Sequence, residues 1–86
     1  MKDEIDSLIQ DKIRDFNVFL EDAFVDEEEG KKRLNIVLNS EEVIDLNRIT
    51  EASRVINQLL DKDGKIIEDI DEVDIYSKEK GEDNNG

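Results

Sequence analysis

From Lys2 to Phe16 the apolar positions repeat at helical spacing. Ile5, Leu8, Ile9, Ile13 and Phe16 share one stripe, and charged residues fill the rest. Asp3 and Glu4 suit the positive end of a helix dipole; Lys12 and Arg14 suit the negative end. Asn17 is the expected stop, because its short amide tolerates the left-handed conformation. The period then changes. Between Val18 and Asp26, Phe19, Ala23 and Val25 fall on one parity and Leu20 and Phe24 on the other, which predicts a strand with apolar surface on both faces. A polar connector, 27–32, contains Gly30, the residue that most easily takes positive φ. Arg33 to Asn39 alternates cleanly, with Leu34, Ile36 and Leu38 on one side and Arg33, Asn35 and Asn39 on the other. Two strands joined by a short Gly-containing link predict an antiparallel hairpin.

A second helix follows. Asp45 is placed to accept from the free amides of its first turn. Leu46, Ile49, Ala52, Ser53, Ile56, Leu59 and Leu60 form its apolar stripe; Arg48 and Arg54 fall on the solvent side or the margin. Asp61 to Gly64 ends it, with Gly64 free to turn left-handed. Ile66, Ile67 and Ile70 are expected to tether the return connection to the core. Val73 and Ile75 then share one parity in a short third strand from Asp71 to Ser77. The order α-β-β-α-β predicts an α+β fold of two layers. Two helices cover one face of a three-stranded sheet, over a single domain spanning 1–77. The opposite face is expected to stay largely open, with Asn35, Val37 and Tyr76 on it. The charged and Asn/Gly-rich stretch 78–86 is expected to be disordered.

Charge changes the picture most. The 86 residues carry a net charge of −13. Such a surface repels phosphate backbones and attracts basic partners, so direct nucleic-acid binding is disfavoured. The one basic cluster, Lys31-Lys32-Arg33, lies close behind Glu27-Glu28-Glu29. Two acidic runs stand out as a docking rim for a basic protein: Asp26, Glu27, Glu28 and Glu29, and Glu68, Asp69, Asp71 and Glu72.

Catalytic chemistry finds little footing. The chain has no histidine and no cysteine, which removes Ser-His-Asp and Cys-His arrangements, most zinc sites and any disulfide. Paired carboxylates would need a desolvating pocket that a chain this small hardly builds. Asp61 to Ile66 imitates the middle of a calcium loop. The first and last ligand positions of that register would fall on Leu59 and Ile70, which cannot ligate, so the segment reads as a helix cap and turn. No cofactor, metal or catalytic residue is expected. Charges directly follow Met1, and no stretch approaches the roughly 18–20 apolar residues of a membrane span, so a soluble cytoplasmic protein is expected.

Three segments resemble the N-terminal domain of the ribosome maturation factor RimP family. They are the strand Phe19 to Val25, the strand Leu34 to Leu38, and the helix Ile44 to Asp61, in which Leu46, Ser53, Arg54, Leu60 and Asp61 correspond most closely. Asp71 to Ser77 sits where that family's third strand follows. Tyr76 to Gly81 replaces the Ser-Ser-Pro-Gly run expected there, and no barrel-like second domain is expected within these 86 residues. The resemblance implies a non-catalytic factor in maturation of the small ribosomal subunit, in contact with a basic ribosomal protein. Competing readings are an acidic nucleic-acid mimic and a regulatory or dimerising interaction module. The oligomeric state is left open.

Overall fold

A computed structural model describes residues 1–42 and 45–78. The elements run α1 (Lys2–Ile13), a 3₁₀ turn (Arg14–Phe16), β1 (Phe19–Glu28), β2 (Lys31–Asn39), α2 (Leu46–Asp63) and β3 (Glu72–Ser77). This is the expected α+β order. The sheet is mixed, with β2 central, β1 antiparallel to it and β3 parallel to it. Parallel neighbours cannot be joined by a tight turn, so the chain crosses back through α2.

One face of the sheet and both helices share a single core. Ile5, Ile9 and Ile13 of α1 meet Leu34, Ile36 and Leu38 of β2, with Ala52, Ile56 and Leu60 of α2. Leu8, Phe16, Ile66, Ile67 and Ile70 pack around its margin, so the isoleucines of the return connection do tether it. α1 ends as expected: it tightens into the 3₁₀ turn, and Asn17 adopts φ 60° while its amide donates to the Arg14 carbonyl. α2 is capped at both ends by the expected residues. Asp45 accepts from the Asn47 amide at 2.7 Å, and Gly64, at φ 74°, donates to the Leu60 carbonyl. The Asp61–Ile66 segment is thereby a helix terminus and turn.

Four sequence expectations change. First, a β-bulge between Leu20 and Asp22 sets two residues of β1 against Val37. It shifts the parity, so Leu20 and Ala23 both enter the core although simple alternation sends them to opposite faces. Second, the hairpin strands run further than expected and leave only Glu29 and Gly30 in the turn, at φ 54° and 80°. Two positive φ values match the twist of a two-residue hairpin. Third, Leu46, the first residue of α2, is 80% exposed and leaves the apolar stripe. Fourth, Asn35 lies on the open face but is only 3% exposed. Of the tail expected to be disordered, only Lys78 belongs to the described residues.

Candidate functional site

Of the acidic residues singled out in the sequence, Asp26, Glu27, Glu28, Glu29, Asp71 and Glu72 meet at one end of the sheet. β1 finishes there at Glu28, β2 starts at Lys31, and parallel β3 starts at Glu72 opposite Arg33. A two-way link joins the distant segments. The Asp71 amide donates to the Lys32 carbonyl at 2.8 Å, and the Lys32 amide donates to Asp71 Oδ2 at 2.8 Å. Glu28, Glu29 and Glu72 line one hollow of about 140 Å³ together with Lys31 and Arg33. Glu68 and Asp69 lie on the turn that leads into Asp71, and both are exposed.

The eight residues do not play the same part. Asp26 is held by Arg33, whose Nε and Nη2 donate to its two oxygens at 3.2 and 3.0 Å. That fork lowers the Asp26 pKa and raises that of Arg33. Asp71 is committed to the backbone of β2. Glu27, Glu28, Glu29, Glu68, Asp69 and Glu72 are exposed and make no ion pair within 4 Å among the described residues. Lys31 and Lys32 stand opposite Glu28 and Glu27 across the hairpin, so the rim is interleaved with cations. Sequence reasoning treated the basic cluster as a neighbour of the acidic run; the hairpin register makes it a partner.

The rim continues onto the open face of the sheet, where register forms a grid. Asp22, Val37 and Tyr76 make one row; Phe24, Asn35 and Asp74 the next; Asp26, Arg33 and Glu72 the third. The buried Asn35 ties the rows together. Its Oδ1 accepts from the Tyr76 hydroxyl at 3.2 Å, and its Nδ2 donates to the Arg33 carbonyl at 3.4 Å. Near the far end Glu21 accepts from Asn39 at 3.0 Å and from Lys78 at 3.4 Å, which lowers its pKa. Asp22 and Asp74 did not stand out in the sequence, and Phe24, whose aromatic side chain reads as core there, is 39% exposed on this face. Their shared surface depends on the bulge and on the placement of β3, which no local spacing signals.

This arrangement offers fixed carboxylates and aromatic rings for binding. Among the described residues no group of three or more acidic side chains is placed to hold a metal ion, and no helix is long and apolar enough to cross a membrane. A scan against protein-family models and a search of curated proteins found no match to the chain.

Proposed function

We propose that this domain is a non-catalytic cytoplasmic adaptor that binds a basic protein through the acidic end of its sheet. The observation that carries this reading is the meeting of two chain-distant acidic runs, 26–29 and 68–72, through the paired hydrogen bonds between Asp71 and Lys32. The net charge of −13 favours a cationic partner over a phosphate backbone. The RimP-like wording of its strands and second helix supplies the candidate class: a protein of the small ribosomal subunit, met during maturation. The absence of histidine and cysteine supports a binding role over a catalytic one. A nucleic-acid mimic would need an uninterrupted ladder of carboxylates, and Lys31, Lys32 and Arg33 interrupt this one.

Binding to purified small-subunit ribosomal proteins at low and at physiological ionic strength tests the reading. Association that weakens as salt rises is expected. Undetectable binding, or binding indifferent to salt, would contradict it.

A further inference from the structure

We infer that the open face of the sheet, beyond the acidic rim, is the docking platform for an extended arginine- or lysine-rich segment of a partner protein. The inference rests on the basic-partner reading and assigns it a surface. Three features carry it.

The first is composition at matched positions. Phe24 is 39% exposed and Tyr76 37%, in adjacent rows: Val37 stands between Asp22 and Tyr76, and Asn35 between Phe24 and Asp74. Asp22 and Asp74 sit beside them in the grid, and Glu72 one row further along β3. An aromatic face next to a carboxylate suits a guanidinium or ammonium. The cation keeps an ionic partner, the ring attracts it through its quadrupole, and the aliphatic stem covers the apolar atoms.

The second feature is order. Asn35 is nearly sealed from water although it lies on the open face, and it anchors the Tyr76 hydroxyl. Asp22 accepts from the Ala23 amide at 2.8 Å, and Asp26 is forked by Arg33. Side chains already fixed lose little freedom when a partner arrives.

The third is space and sign. A broad hollow of about 630 Å³ runs along β3, lined by Val37, Asp74, Tyr76, Ser77 and Lys78. Two cations on this face are engaged, Arg33 with Asp26 and Lys78 with Glu21 at 3.4 Å, and Lys31 stands at the rim end opposite Glu28. Asp74 makes no ion pair within 4 Å among the described residues. A second copy of the chain would bring the same carboxylates against themselves, so charge complementarity selects a cationic occupant.

The test titrates the isotope-labelled protein with a short arginine-rich peptide and with its glutamine-substituted counterpart, read by amide chemical-shift mapping. Shifts at 22–24, 35–37 and 74–76, seen only with the arginine peptide, are the expected result. Phe24→Ser and Asp74→Asn should each weaken that peptide about three- to tenfold. Asp74→Asn is exposed and keeps the fold, so it stands if Phe24→Ser proves unstable. Two results overturn the inference while leaving the basic-partner reading intact. One is shifts confined to 27–32 and 68–72, with both face variants binding as the wild type does. The other is a concentration-dependent dimer in sedimentation that buries Phe24. No binding of the arginine peptide at low salt would remove both.

Discussion

The two faces of β2 are built from alternate residues of one strand, yet they are ordered by different physics. Leu34, Ile36 and Leu38 point into the helix layer and are fully buried. Arg33, Asn35 and Val37 point to the uncovered side, where Arg33 forks Asp26 and Asn35 holds Tyr76. The covered face gains from removing apolar surface from water, a term that needs shape but little direction. The open face gains from hydrogen bonds, which need direction and are costly to break where the group is buried. A face ordered in this way is stable without a cover, so it is available to a partner.

The contrast can be broken most severely on the covered side. Ile36→Ala removes a fully buried side chain at the centre of the sheet and should cost about 2–5 kcal/mol in a chemical denaturation curve. A loss below about 1 kcal/mol would mean that the helices do not seal this face.

Asn35→Ala probes the open side. It removes the hydrogen bonds to the Tyr76 hydroxyl and the Arg33 carbonyl and should cost about 0.5–1.5 kcal/mol by the same measurement. Combined with Tyr76→Phe the loss should fall short of the sum of the two single losses, because both variants remove the same hydrogen bond. Strictly additive losses would show that the Tyr76–Asn35 bond is not coupled.

A smaller effect of opposite sign is expected at the hairpin turn. Glu29 holds φ 54°, a region that disfavours an ordinary side chain, and it belongs to the acidic rim. Glu29→Asn should raise stability by about 0.5–1 kcal/mol, since asparagine tolerates that conformation and a crowding charge is removed. If the rim meets the basic partner, the same variant should bind it more weakly; stabilisation with unchanged affinity would excuse Glu29 from docking.

The finest distinction is in pH. Arg33 lowers the Asp26 pKa in the folded state, so the Asp26 contribution is fully present above the carboxylate value of the unfolded chain. It is lost as pH falls through the lower folded value. The stability gap between wild type and Asp26→Asn should therefore be flat near neutrality and shrink on acidification through that window. A gap that widens on acidification would contradict the Arg33 pairing.

Much of the fold could be read in advance because its signals are local. Asp45 and Gly64 bound α2 through chemistry within one turn of the residue itself, and Leu34, Ile36 and Leu38 declare their face by alternation. What escaped was not local. A bulge adds one residue to a strand without changing its composition, so the placing of Leu20 with Ala23 had no signature. Lys31 and Lys32 read as connector because they are charged, yet they continue β2, facing Glu28 and Glu27. Leu46 fits the helical period but opens the helix and stays exposed, and period alone does not say where along a helix burial begins. The acidic runs of the candidate site were visible as composition. Their meeting required β3 to return parallel to β2, and the open-face grid required the bulge as well.

Site-specific photocrosslinking examines the central claim most directly. A benzoylphenylalanine would replace Phe24 on the open face or, in a second protein, the exposed Leu46 on the helix layer, each irradiated with purified small-subunit ribosomal proteins. Crosslinking of a basic protein from position 24, lost when salt is raised and absent from position 46, is the predicted result. Equal crosslinking from both positions, or from position 46 alone, would contradict the assignment of the uncovered sheet as the surface that meets the partner.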